Sequence, residues 1–241
     1  MRRPLRVSEG GTTLGAMGFL YEEKASSSRF VDVVWRTVDV SDGTYLASAD
    51  ACFDLIFTRM PLGSRVLFSG PSSRPTVVPY RAGNRHVGVR FTHGTFFTHV
   101  EPRSMCDRTV PLPMPDDDHF ELGDRTWTMP DYDTVDALLA ALEDGGLLAH
   151  DDVIDAALRG SEPPVSPRTV ERHFTRVTGR SLRQVRQIAR AREAAARLRT
   201  GEAIADVAYA LGYADQSHLT RDVKQLTGYT PAQSQHRDEP V

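Results

Sequence analysis

The chain is poor in cysteine: Cys52 and Cys106 are the only two among 241 residues. No Cys-x-x-Cys or zinc-type Cys/His spacing occurs, which removes a structural zinc site and a dithiol redox motif and leaves two thiols of a reducing compartment as the simplest state. Long apolar runs are missing as well. No window approaches the roughly 18 residues needed to cross a bilayer, and the basic start MRRPLRVSEGGTTLG leads into no apolar signal-peptide core. These absences predict a soluble, cytoplasmic protein with no membrane partner. Gly-rich phosphate loops, a Ser/His/Asp arrangement and a paired-carboxylate signature are also absent, so no catalytic residue, metal or cofactor is assigned and the chain is read as a non-enzyme. His86, His93, His99 and Glu101 are the only group that approaches a ligand set. They include no H-x-H pair, and the helix expected around His99 and Glu101 sets those two on different faces.

Strong net charge is missing too. The total is −3, so overall charge marks no nucleic-acid partner; its distribution does. Residues 165–200 hold ten arginines against Glu171 and Glu193, whereas residues 113–157 hold thirteen acids against Arg125 alone. A basic face kept apart from an acidic one is the electrostatic footprint of a nucleic-acid binder.

What is present divides the chain in two. Residues 1–20 are rich in glycine and threonine and read as partly unstructured. From Arg29 to Thr92 the runs VDVVWRTVDV, TYLASA, CFDLIFTRM, SRVLFSG, PTVVPY and HVGVRF are short, β-branched and aromatic, with turn material such as SDG, MPLGS, GPSSRP and RAGN between them. Strands this short and closely spaced predict a small β-sandwich or barrel rather than βαβ units. Residues 94–107 read as a helix that closes this part, and the proline- and acid-rich segment 113–130 reads as a linker. The expected organisation is a β-rich domain over 1–112, the linker over 113–130 and an all-α domain over 131–241, an α+β chain. Alternation places Trp35 with Val31 and Val33, sets Phe53, Leu55 and Phe57 opposite Asp54, and sets Val87, Val89 and Phe91 opposite His86 and Arg90. Which face points inward stays open. Trp35, Asp54, Phe57, His86 and Arg90 are the candidates for a small-molecule pocket, and an inward Asp54 or Arg90 needs a partner because a lone buried charge is costly.

The second half is helical. Val135, Leu138, Leu139 and Leu142 form a stripe that ends at Gly145-Gly146, and DDVIDAALRG makes a short helix ending at Gly160. In VSPRTVERHFTRVTG, Ser166 is the N-cap, Pro167 takes the first helical position and Gly179 is the stop. Val170, Phe174 and Val177 are its buried stripe, so Arg168, Thr169, Glu171, Arg172, Thr175 and Arg176 face out. SLRQ, residues 181–184, is a capping box that opens a helix running to about Arg199. Next, AIADVAYAL stops at Gly212, Asp215 caps a further helix, and Leu219, Val223 and Leu226 form its stripe before Gly228. Gln216, Ser217, His218, Thr220, Arg221 and Lys224 lie off that stripe or at its border. Amides, hydroxyls and guanidinium groups are what read base edges or grip phosphates in a major groove. The long helix between the two pairs spans roughly 28 Å, close to the groove repeat of roughly 34 Å, so both polar helices can enter successive grooves. Arg183, Arg186, Arg190 and Lys224 are the expected phosphate contacts.

These residues carry a resemblance. SPRTVERHFTRVTGRSLRQVRQIARAREAAARL followed by IADVAYALGYADQSHLTRDVKQLTGYTP resembles the DNA-binding domain of AraC-type transcription regulators over roughly residues 131–236, through IA-x-x-x-x-x-LGY-x-DQSHL-x-R-x-x-K-x-x-x-G-x-TP. The resemblance implies a seven-helix domain with two helix-turn-helix units on a long connecting helix. Arg168, Glu171 and Arg172 match the base-reading face of its first recognition helix, and Gln216, Ser217, His218 and Arg221 that of the second. The turn RGSEPPV is longer than the family's, and Val223 stands where an aromatic residue is common. RFVDVVW, ADACFDLIF, HVGVRFTHGTFF and DRTVPL are similar to the β-rich, cupin-like domain that often precedes such DNA-binding domains in bacteria, with His93 in place of a common proline. The resemblance implies a transcription regulator whose partners are a double-stranded DNA operator and a small-molecule effector, with RNA polymerase and a second copy of the chain open as further partners. Two other roles stay open for the β-rich part: a module for dimerisation or partner contact, and a metal-dependent cupin-like enzyme fused to the DNA-binding domain.

Overall fold

The computed structural model describes residues 13–14, 18–161 and 163–235, so most of the lead-in 1–20 lies outside the described residues. The first half supplies β1 (Thr13–Leu14), β2 (Phe19–Lys24), β3 (Val31–Asp39), β4 (Gly43–Ala47), β5 (Asp54–Met60), β6 (Gly63–Ser69), β7 (Thr76–Tyr80) and β8 (Arg85–Phe91). β9 (Thr95–Phe97), β10 (Thr109–Pro111), β11 (His119–Leu122), β12 (Arg125–Thr128) and β13 (Leu148–His150) follow. A seven-stranded antiparallel sheet runs β1-β2-β3-β8-β5-β6-β10, and β4 pairs separately with β7. The order is non-sequential because β8 inserts between β3 and β5, pairing with both.

Directly opposed residues share a face, and the two faces of this sheet differ in chemistry. Val34 opposes Val89, which opposes Leu55; Phe57 and Phe91 lie on the same side, and all are buried. That apolar face is covered by Phe97, by Phe120 and Leu122 of β11, and by α1 (Val135–Asp144) through Val135, Leu138, Leu139 and Leu142. Two expectations are corrected here. Residues 113–130 are not a linker: β11 and β12 form a hairpin, and the alternation of Phe120 and Leu122 with exposed Glu121 buries one side of it in the core. Residues 94–107 are not an α-helix: β9 pairs with β13, Phe97 opposite Leu148, and only Pro102–Met105 forms a 3-10 turn. The pairing partner of β9 is Leu148–His150, far downstream and beyond the reach of local periodicity.

The remaining helices are α2 (Asp152–Leu158), α3 (Pro167–Val177), α4 (Leu182–Arg199), α5 (Ile204–Ala210), α6 (Gln216–Thr227) and α7 (Pro231–Ser234). With α1 they make seven α-helices among the described residues, and the chain is α+β. α1 was expected in the helical half; it packs on the sheet, whereas Ile154, Phe174, Val177, Val185, Ile188 and Leu226 form a second core. A third, around Leu198, Val207, Tyr213, Leu219 and Val223, joins the end of α4 to α5 and α6. Ala49 and Ala51, in the loop after β4, are buried in the second core, and the Ala49 amide donates to the Leu226 carbonyl at 2.8 Å. The Leu46 amide donates to the Tyr229 hydroxyl at 3.1 Å. Around the turn after β9, Arg103 donates to the Thr175 carbonyl at 3.3 Å and Arg180 pairs with Asp107. The β-rich half therefore grips the C-terminal ends of both α3 and α6.

Candidate nucleic-acid interface and the polar face of the sheet

α3 and α6 are built by the same local chemistry. Ser166 caps α3 by accepting from the Thr169 amide at 3.2 Å, with Pro167 at the first helical position, where its missing N–H costs nothing. Asp215 caps α6 by accepting from the His218 amide at 2.7 Å, and Gly228 ends it with φ +84°, a conformation L side chains resist. Val170, Phe174 and Val177 are buried on α3, and Leu219, Val223 and Leu226 on α6. Val223, where the family often has an aromatic, is fully enclosed, so the core has closed around the smaller side chain.

The opposite faces carry the groups singled out from the sequence. Arg168, Glu171, Arg172 and Arg176 are exposed on α3, with Thr169 half-buried; Gln216, Ser217, Arg221 and Lys224 are exposed on α6, with His218 and Thr220 half-buried. Their freedom differs. Arg176 donates to Asp151 at 2.7 Å and lies 5.5 Å over the Phe96 ring, and Glu171 accepts from the Leu182 amide at 3.3 Å, capping α4. Thr169 lies 3.0 Å from the Ser166 hydroxyl, and His218 stands edge-on to Tyr213 at 5.2 Å. Of the four expected phosphate contacts, two are engaged within the protein: Arg186, though exposed, donates to the Ala157 carbonyl at 2.7 Å, and Arg190 donates to Asp222 at 3.3 Å while lying 4.3 Å over Tyr213. Charge runs read from sequence do not separate arginines that solvate from those that cap helices and stack on rings. Among the described residues, Arg168, Arg172, Arg183, Gln216, Ser217, Arg221 and Lys224 make no side-chain hydrogen bond or ion pair.

α3 contacts a buried carboxylate, Asp151, and α6 carries one, Asp222. Asp151 caps α2 and accepts from His173 at 2.6 Å and Arg176 at 2.7 Å. Burial pushes its carboxyl up, but hydrogen bonds from His173 and Arg176 outweigh that and hold it below the usual carboxylate range.

On the sheet, four of the five pocket candidates share the polar face. Trp35 opposes Gly88, Asp54 opposes Arg90, and His86 opposes Thr58. A Cβ at Gly88 would overlap the Trp35 indole, so glycine is required for the ring to lie flat on β8. His86 joins two buried groups, with Nδ1 3.0 Å from the Thr58 hydroxyl and Nε2 3.0 Å from Asp39. Arg90 lies 3.5 Å from Asp50 and 3.6 Å from Asp54. Burial and the Asp50 charge raise the Asp54 carboxyl well above its ordinary value against the opposing pull of Arg90. Phe57 does not join them; it points into the apolar core, 5.4 Å from Phe120. Sequence reasoning missed Tyr21, Tyr45 and Tyr80. Tyr21 lies on the polar face opposite Thr37, and Phe19 packs between Tyr45 and Tyr80 at 5.7 and 5.2 Å. Burial pushes the Tyr45 hydroxyl up to about 12, against a lowering by Arg90. Across the boundary between the halves, Arg192 of α4 reaches within 4.0 Å of Asp50. Among the described residues no three His, Cys, Asp or Glu side chains gather as a metal site, so His86, His93, His99 and Glu101 do not converge. No helix among them is long and apolar enough to cross a membrane.

A family model described as a helix-turn-helix domain matches residues 163–237, the span of α3 to α7. Residues 163–237 are an AraC-type helix-turn-helix domain. This AraC-type domain contains both capped helices and the α4 connector, and DNA is the partner its family implies. Comparison with curated proteins gives no match. Among solved structures, ToxT from Vibrio cholerae O395, bound to (E)-4-(8-methylnaphthalen-1-yl)but-3-enoic acid, is similar at 12% identity and a TM-score of 0.44, over 90% of this chain and 98% of that one.

Proposed function

We propose that the chain is a sequence-specific transcription regulator in which α3 and α6 read successive major grooves, and in which the β-rich half holds a small-molecule effector at the polar face of its sheet. The observation that carries the DNA reading is the set of exposed groups without intramolecular partners, Arg168 and Arg172 on α3, Arg183 on α4, and Gln216, Ser217, Arg221 and Lys224 on α6. Guanidinium groups and an amide held at the surface while their neighbours are tied down are the donors that pair with guanine and adenine edges. α4 has 18 residues, about 27 Å of helix, which suits neighbouring grooves about 34 Å apart. Enrichment of a random-sequence duplex pool over the full chain should converge on one site. A pool that does not converge, with all duplexes bound alike, contradicts sequence-specific reading.

The effector reading rests on the chemistry of the polar face. Trp35, three tyrosines nearby and the Asp54–Arg90 pair suit a molecule with an aromatic or apolar body and a hydrogen-bonding group. Arg192 beside Asp50, and the Ala49–Leu226 hydrogen bond, give such a molecule a route to the reading helices. A second reading, in which the β-rich half only braces the helices, is favoured by the way Asp50 and Asp54 already lie against the opposite charges of Arg90 and Arg192. A thermal-shift screen with a metabolite library separates the two. A compound that raises the melting temperature and changes affinity for the enriched duplex supports an effector, and stabilising compounds that leave DNA affinity unchanged support the brace.

A further inference from the structure

Asp222 is a buried acid on the inner side of the helix that carries the reading groups. It is 5% exposed, where an aliphatic residue would serve packing better, because burying a carboxylate costs several kcal/mol unless it is paired and hydrogen-bonded. Its two oxygens are both used. Oδ1 accepts from Gln187 Nε2 at 3.0 Å, and Oδ2 accepts from an Arg190 terminal nitrogen at 3.3 Å with His218 Nε2 3.7 Å away. Gln187 and Arg190 stand on α4, one turn apart, so the carboxylate bridges two points of the connector. Arg190 and His218 in turn hold Tyr213, two residues before the cap of α6, between cation and ring edge.

We propose that Asp222 is the positioning residue of the second reading helix. By binding Gln187 and Arg190 it fixes the rotation of α6 about its own axis against α4, and so sets the direction in which Gln216, Ser217 and Arg221 leave the protein surface. Apolar contacts alone do not do this. Leu219, Val223 and Leu226 form a stripe that tolerates rolling, whereas two hydrogen bonds from separate turns of α4 do not. A buried ion pair often adds little net stability over apolar residues of the same volume, and in some proteins such a group fixes how helices register. The same device recurs in the first unit, where Asp151 holds α3 through His173 and Arg176. The inference rests on the reading of α6 as a base-reading helix.

The test compares the duplex that the wild-type chain enriches from a random pool with a scrambled duplex of the same composition. Asp222→Asn keeps shape and one acceptor but loses the charge that holds Arg190. Its preference for the enriched over the scrambled duplex should fall about tenfold, the worth of one base contact, while scrambled-duplex affinity and salt dependence stay unchanged. The double variant Asp222→Leu with Arg190→Met replaces the ion pair by apolar volume, which often restores stability. It should melt near the wild-type temperature and still lack the preference. Recovery of both together, or full preference in Asp222→Asn, overturns the proposal. Gln216→Ala measured in parallel distinguishes the two levels: if it too leaves preference intact, the base-reading role of α6 fails, and if it alone loses preference, only the role of Asp222 fails.

Discussion

Arg183→Ala should flatten the salt dependence of DNA binding, and Arg186→Ala, three residues away, should not. Five cations on α3, α4 and α6 are exposed and unpaired: Arg168, Arg172, Arg183, Arg221 and Lys224. Each phosphate neutralised contributes about −0.9 to the slope of log K against log salt, so five give about −4.5 and an affinity loss of about 500-fold between 50 and 200 mM salt. Removing Arg183 should bring the slope to about −3.6. Arg186 is bound to the Ala157 carbonyl at the end of α2, so Arg186→Ala should leave the slope alone and cost about 1 kcal/mol of stability, the worth of the hydrogen bond. The assay is a set of binding titrations at four salt concentrations with a melting curve for each variant. A wild-type slope near zero refutes phosphate neutralisation by this surface. Equal slope changes in both variants refute the assignment of Arg186 to a structural role.

Asp151 predicts an acid signature. Because its carboxyl is held below the usual range in the folded chain, its pairing stabilises above the unfolded value of about 3.9 and is lost as pH falls through the folded value; the urea midpoint should drop in that window in the wild type and less so in Asp151→Asn, and identical acid profiles would refute it. Gly228→Ala should destabilise by about 1–2 kcal/mol, since φ is +84° and the new Cβ would stand 2.8 Å from Leu46 Cδ1; unchanged melting would show that the β-rich half does not press on this turn. Leu219→Ala should cost about 2–5 kcal/mol by leaving a cavity, lowering the melting temperature, and a wild-type melting curve would remove Leu219 from the core.

The helical half was the more legible one because its signals are local. Ser166, Ser181, Asp215 and Thr230 each cap a helix through a side-chain oxygen that accepts from the backbone amide three residues on, and Gly212 and Gly228 have positive φ. The spacing of Leu219, Val223 and Leu226 states which side is buried without reference to the rest of the chain. What periodicity does not state is the partner. α1 has a clear stripe, yet it packs on the sheet, and Phe120 and Leu122 enter the same core from a segment dense in aspartate and proline. The polar face was half legible for the same reason. Alternation separated Asp54 and Arg90 from Leu55 and Val89, but Thr58, His86 and Asp39 meet only because β8 inserts between β3 and β5, and Phe57 fell on the far side. Arginine runs carried the least information, since Arg176, Arg186 and Arg190 look like Arg168, Arg172 and Arg183 until their partners are known.

The central claim is that α6 reads bases with Gln216 and Arg221, and paired titrations of the enriched and scrambled duplexes test it most directly. A bidentate arginine–guanine or glutamine–adenine contact discriminates by about 1–3 kcal/mol. Gln216→Ala and Arg221→Ala should therefore each weaken binding to the enriched duplex by about 5- to 150-fold and leave the scrambled duplex nearly unaffected, with melting unchanged because both side chains are exposed and unpaired. Equal losses on both duplexes would make these residues phosphate contacts, and no loss on either would contradict the placement of α6 in the groove.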